Sequence, residues 1–329
     1  MSSARRGFNV PGKAYWLAML TLATLTAPAL AGEREAALRR AVAWQVALDA
    51  AGFSPGLIDG AIGPKTELAT REFQRARGLP VTGTLDKATA DALGVDPDGV
   101  FIRYTIEPQD MEEIGPNPTS WVAKSKLKRL GHQALENVIA EKFHCTISLL
   151  NTLNPGKRIN EMGPGDRVIV PVVMDPAPQP KATRLEVNFA EKTIRVIGPN
   201  NKVVGLFFCS IAANRRKLPS RDAEVTVVAP DPWYTFDPQM WPEVKERINT
   251  KLQIPPGPRN PVGRCWIGLS LRGYGMHGTP NPELIGKTGS HGCFRLANWD
   301  ALRLSKLVQV GTPVKFSDGQ NVRLASNKR

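Results

Sequence analysis

The feature that most constrains this chain is a change of hydrophobic period across residues 175–182. Asp175-Pro176-Ala177-Pro178-Gln179-Pro180 sets prolines at alternate positions, which makes an extended, semi-rigid linker. Before it, apolar residues recur at helical spacing: Leu38, Val42 and Val46 within 37–51, then Leu68, Ala69 and Phe73. After it, polar and apolar residues alternate, as in Arg184-Leu185-Glu186-Val187-Asn188 and Thr193-Ile194-Arg195-Val196-Ile197. Asn200-Asn201 turns that hairpin, and 203–211 reads as a buried strand. Many short strands and one clear helix, 299–308, predict an all-β core of sandwich or barrel type. At 329 residues the chain exceeds one ordinary core, so two or three domains are expected.

The chemistry concentrates in two blocks of the β half: Met276-His277-Gly278-Thr279 and Ser290-His291-Gly292-Cys293-Phe294-Arg295. A thiol is a strong nucleophile only as thiolate, so it needs a base or a positive environment. His277, at a strand end between glycines, can reach across to a neighbouring strand end. His291, two residues from Cys293, would need a sharply bent backbone and reads as a hydrogen-bonding residue that holds the loop. The expected resting state is a Cys293 thiolate partly formed against a His277 imidazolium. The N–H groups of Gly292 and Cys293 are expected to meet the oxyanion, with Ser290 orienting the loop. Arg295 either grips a substrate carboxylate or pairs with a local acid. Tyr274 and Trp266 are open to two readings, cleft wall or core. Asp231, Trp233 and Tyr234 are candidates for a cover over the cleft.

These blocks resemble the L,D-transpeptidase family, whose signature runs His-Gly-Thr, a spacer, then Ser-His-Gly-Cys. The similarity extends through Pro255 to Gly263, Trp266 to Ser270, Asn298, Asp300 and Gly311-Thr312-Pro313-Val314, covering about residues 183–317. Asn214 to Ser220 replaces the Thr-Pro-x-Gly block of the first half, a departure at the cleft rim. The resemblance implies His277 as base, held by the Gly278 carbonyl. It implies a peptidoglycan tetrapeptide stem as donor, cut before its terminal D-alanine, and an amine acceptor. Carboxypeptidase action, cross-link hydrolysis and attachment of a lipoprotein lysine to the wall share the same nucleophile and stay open. A non-catalytic wall-binding protein of the same fold is the alternative of another class. Carbapenems are the implied covalent inhibitors.

The front half holds two further resemblances. Residues 33–97, with Asp59-Gly60, Gly63-Pro64, Phe73-Gln74 and Thr82-Gly83, resemble the three-helix peptidoglycan-binding domain, with binding expected near the 59–66 loop. Residues 101–174 follow a strand, helix, helix, strand order, with a helix at 134–143, Asn154-Pro155-Gly156 and Gly165-Asp166, and are similar to a LysM module. The atypical stretch 115–131 leaves two roles open for that module, glycan binder or structural spacer.

Residues 1–31 read as a secretory signal: Arg5, Arg6 and Lys13, an apolar run, then Ala29-Leu30-Ala31. The run is shorter than the roughly 20 residues a membrane span needs. Cleavage would leave no transmembrane anchor and place the protein in the periplasm or cell envelope, by either Sec or Tat export. The formal charge of +13 suits a polyanionic wall surface, and no base-reading module argues for nucleic acid. Residues 318–329 form a basic tail. Of the four cysteines, Cys209 and Cys265 are either packed thiols or a bridged pair, and no Cys/His cluster suggests a metal. No cofactor is expected. His132 and His144 read as surface or packing residues.

Overall fold

The computed structural model describes residues 14–241 and 244–318, with side chains from residue 32 onward. The leader therefore lies outside the described residues except for the backbone of 14–31, and so does the basic tail beyond Asp318. Among the described residues no helix is long and apolar enough to cross a membrane.

The front unit is helical: α1 (Ala14–Ala50), α2 (Pro64–Arg77) and α3 (Lys87–Leu93). Proline opens α2 at a position where its missing N–H costs nothing. Asp86 caps α3 by accepting from the Thr89 N–H at 2.9 Å. Buried Gln45 fixes the 59–61 turn, donating to Asp59 Oδ1 at 2.8 Å and accepting from the Gly60 N–H at 2.9 Å.

The second unit pairs β1 (Phe101–Thr105) antiparallel with β2 (Arg167–Pro171). Between them lie α4 (Pro108–Glu112), α5 (Trp121–Ser125), α6 (Leu135–Lys142) and α7 (Ile147–Leu153). The two longer helices, α6 and α7, stand where the sequence order puts them. The short α4 and α5 are additional, and α5 lies inside the atypical stretch.

The β half contains β3 (Arg184–Asn188), β4 (Thr193–Ile197), β5 (Val203–Phe208), β6 (Ala223–Pro230), β7 (Tyr234–Phe236), β8 (Leu252–Ile254), β9 (Cys265–Leu269), β10 (Gly275–His277), β11 (Phe294–Arg295), α8 (Asn298–Leu307) and β12 (Pro313–Ser317). Eight strands form one sheet in the order β11-β10-β9-β6-β12-β3-β4-β5, while β7 and β8 form a separate hairpin. Asn200 and Asn201 take φ of 57° and 60°, the left-handed pair that matches strand twist in a tight hairpin. Just past β5, Ser210 exchanges backbone hydrogen bonds with Arg295 at 2.9 and 3.1 Å. The far edges of the sheet thereby meet, and the curled sheet closes around Val187, Ile194, Val225, Ile267, Met276 and Phe294.

The units share cores. Trp44, Leu48, Phe53 and Phe73 of the front unit pack with Leu206, Phe208 and Trp299 of the β half. Arg195 grips buried Glu72 through two hydrogen bonds of 3.0 and 2.9 Å. Arg303 donates to Asp49 at 2.7 Å, and Asp49 also bonds His144 Nδ1 at 3.0 Å. His144 stacks on Trp299 at 4.7 Å, so both it and His132 are buried, which corrects the surface alternative. The linker lies along α8, with Lys181 donating to the Lys306 carbonyl at 2.7 Å. Cys145, Cys209 and Cys265 are buried free thiols, and no disulfide joins Cys209 to Cys265. Among the described residues no group of His, Cys, Asp and Glu could hold a metal ion.

Candidate active site

Strand register assembles the site. β10 runs parallel to β11 with Met276 opposite Phe294 and His277 opposite Arg295, and antiparallel to β9 with His277 opposite Trp266. Ile267, Met276 and Phe294 are buried in the core. Alternation therefore puts Trp266, Gly275 and His277 on the other face. Extending the parallel register back by one residue sets Cys293 opposite Gly275. Cys293 immediately precedes β11 and so stands at the end of the strand that runs beside His277.

His277 is 6 % exposed and its Nδ1 lies 2.6 Å from the Gly278 carbonyl. A carbonyl only accepts, so Nδ1 carries the proton and Nε2 is left as the basic nitrogen. The indole of Trp266 stacks on the ring at 5.8 Å. A Cβ on Gly275 would come within 2.3 Å of the same indole, so the glycine lets Trp266 lie flat against the strand beside His277. Trp266 is thus packed on the His277 ring on the face of the sheet away from the core. Asn298 is wedged under Gly278: its Oδ1 would be 2.2 Å from a Cβ there. Asn298 accepts from the Arg264 N–H at 3.1 Å and donates to Glu141 of α6 at 2.9 Å.

Cys293 is the partly accessible one among four free cysteines. Its thiol donates to the Gly273 carbonyl at 3.5 Å, and no hydrogen bond joins it to His277 among the described residues. Burial pushes the Cys293 thiol above its usual range, partly offset by the Gly275 backbone. Burial also pulls His277 down to about 4, with Arg295 adding to the effect. Burial thus disfavours the charged form of both groups. Desolvation therefore works against the expected thiolate–imidazolium pair.

The loop before the thiol is tied down by its own polar groups. Ser290 Oγ donates to the Cys293 carbonyl at 2.5 Å and accepts from the Gly292 N–H at 3.1 Å. The Gly292 N–H is thus engaged within the loop, whereas the sequence reading expected it to face the substrate. Arg295 Nη2 donates to the carbonyls of Thr288 at 3.0 Å and Gly289 at 2.5 Å. This arm of the guanidinium shapes the loop rather than pairing with an acid, and Nε is buried without a partner. Tyr274 lines the rim, donating to the Lys217 carbonyl at 2.9 Å, so the 214–220 segment that departs from the family pattern holds it.

The β7–β8 hairpin stands over this face. His291 packs edge-on against Trp241 at 4.6 Å, and the Trp241 indole donates to Tyr234 Oη at 3.1 Å. Burial raises the Tyr234 phenol, and the proximity of Cys293 contributes in the same direction. Trp233 is 60 % exposed, whereas Asp231 pairs with Arg264 at 2.5 Å. The sequence reading named Tyr234 but not Trp241, whose signal is the aromatic density of 233–241.

Residues 182–316 match the family described as L,D-transpeptidase catalytic domain, and residues 41–93 match the putative peptidoglycan binding domain. The putative L,D-transpeptidase YkuD of Bacillus licheniformis is 28% identical over 185 residues, 56% of this chain and 94% of that protein. The putative L,D-transpeptidase YqjB of Bacillus subtilis is 33% identical over 125 residues, 36% of this chain and 62% of that protein. Among solved structures, a mutant L,D-transpeptidase of Enterococcus faecium aligns at 17% identity and TM-score 0.30, covering 44% of this chain and 57% of that one. The L,D-transpeptidase of Xylanimonas cellulosilytica aligns at 15% identity and TM-score 0.35, covering 84% of this chain and 92% of that one. The chain thus spans little more than half the length of the first of these solved structures.

Proposed function

We propose, from the match of residues 182–316 to the L,D-transpeptidase catalytic-domain family, that this chain is an exported enzyme forming peptidoglycan cross-links through Cys293. The observation that supports the reading is a partly accessible thiol immediately before β11, beside the parallel strand β10 that carries a buried imidazole protonated at Nδ1 and basic at Nε2. The front domain at 41–93 would hold the enzyme on its polymer, and the LysM-like module would add a second contact with glycan.

In the proposed cycle the donor is a tetrapeptide stem. As Cys293 Sγ attacks the carbonyl before the terminal D-alanine, its proton passes to His277 Nε2. Because burial disfavours both charged forms, transfer accompanies attack rather than preceding it. The Cys293 N–H meets the oxyanion; losing one such donor typically costs about 10²–10³ in rate. The C–N bond breaks, and His277 returns the proton to the departing D-alanine amine, leaving a thioester. The acceptor amine, from another stem or a lipoprotein lysine, attacks that carbonyl and gives its proton to His277. The C–S bond breaks and the thiol is restored. A carbapenem would acylate the same sulfur.

Incubation of the protein with disaccharide-tetrapeptides, followed by mass analysis of the products, tests this. A cross-linked dimer with released D-alanine is expected. Released D-alanine without dimer would assign hydrolysis, and no turnover at all would leave only the wall-binding role.

A further inference from the structure

We infer that helix α5 positions the β7–β8 hairpin over Cys293, with Trp121 and Glu246 as the positioning pair. The inference rests on the reading of Cys293 as the reactive thiol. A hairpin of two three-residue strands, separate from the main sheet, is not stable alone in water. Its partner here comes from the second module, through the stretch that fits the module least.

The contact is a small core of its own. Phe236 and Ile254 of the hairpin and Leu130 of the module are buried together, with Trp121, Leu127, Tyr234 and Trp241 packed around them. Trp121 stacks on Phe236 at 4.0 Å with 17° between the planes, and its ring lies 6.4 Å from Tyr234 and 6.5 Å from Trp241. Lys124 Nζ sits 4.9 Å from the Trp121 ring centroid, a cation on the indole.

Polar contacts fix the register. Glu246, between β7 and β8, accepts from Ser120 Oγ at 2.6 Å and from the Trp121 N–H at 2.8 Å, so the hairpin caps the helix. Below the cap, the Leu130 N–H donates to the Pro256 carbonyl at 2.8 Å, and Arg259 Nε donates to Asn117 at 2.9 Å. From Trp121 the chain of contacts reaches Tyr234 and Trp241, and through Trp241 it reaches His291 in the nucleophile loop. The second module thereby becomes part of the roof of the site, and its atypical stretch has a function independent of glycan.

The test uses the full chain. Alkylation of Cys293 by iodoacetamide is followed on its own peptide by mass spectrometry, beside KM and kcat for a disaccharide-tetrapeptide. Trp121→Ala and Glu246→Ala are expected to speed alkylation and raise KM by about two- to tenfold, the population change that loss of one aromatic pair or of one hydrogen bond produces. Trp121→Phe, which keeps a ring on Phe236, should recover most of both. Equal alkylation and KM in all the proteins would overturn the inference. So would a change in Trp121→Phe as large as in Trp121→Ala. Failure of the nucleophile assignment would show separately, as turnover in Cys293→Ala, while the alkylation comparison stays readable.

Discussion

Replacing Asn298 by alanine should damage both stability and catalysis, through groups that never touch substrate. Asn298 is 1 % exposed and joins three segments: it donates to Glu141 at 2.9 Å and to the Pro258 carbonyl at 3.2 Å, and accepts from the Arg264 N–H at 3.1 Å. Alanine leaves all three partners behind. At about 1 kcal/mol for each bond lost, the cost is about 3 kcal/mol, with more where a partner stays buried and unpaired. At about 2–4 °C per kcal/mol for a domain of this size class, melting should fall by about 6–12 °C. The same side chain lies against Gly278, whose carbonyl fixes His277. A shift of the ring by about 1 Å can cost about 10²-fold in rate. Asn298→Asp refines the test, because it keeps the acceptor toward Arg264 but sets a carboxylate against Glu141. Burial raises Glu141 to about 7, so in the wild type its contribution to stability is full at acidic pH and lost as pH rises through 7. The deficit of the Asp variant should accordingly shrink from pH 8 to pH 5, as Glu141 takes up its proton. Thermal melting across that range and donor turnover read both effects. An unchanged melting temperature with unchanged turnover in Asn298→Ala would refute the reasoning.

Three further outcomes are expected. Because burial raises the Cys293 thiol and holds His277 near 4, alkylation of Cys293 should climb steadily above neutral pH; a plateau already reached at pH 6 would restore the ion pair. Gly275→Ala should displace the Trp266 indole, which a Cβ would meet at 2.3 Å, costing about 1–3 kcal/mol of overpacking and lowering kcat; normal melting and kcat would contradict it. Arg195→Ala leaves buried Glu72 with Arg75 as its cationic partner and should cost about 1–3 kcal/mol, read by denaturant unfolding, with part of the loss recovered in the double variant with Glu72→Gln.

Cys293 and His277 could be singled out from the sequence because they and their glycines lie in two short blocks, which the strands β10 and β11 set side by side. The strands were legible from alternation, and the hairpin from Asn200-Asn201. The helix α8 matched its apolar period to within a residue. What stayed hidden depends on partners far along the chain. Trp121 finds Phe236, and Glu72 finds Arg195, across more than a hundred residues that no periodicity connects. The α5 stretch, polar and lysine-rich, has no face to read until the hairpin covers it. The desolvation that opposes the ion pair was hidden for a related reason, since both shifts come from burial, which the motif does not encode. The Gly292 N–H and the Arg295 Nη2 looked available in the sequence because their acceptors, Ser290 Oγ and the loop carbonyls, are set by the loop's own path.

The most direct test is intact-protein mass spectrometry during turnover of a disaccharide-tetrapeptide. The expected result is a transient mass increase equal to the donor without its terminal D-alanine, located on the Cys293 peptide and absent in Cys293→Ala. Undiminished turnover in Cys293→Ala, or an adduct on any other residue, would contradict the assignment.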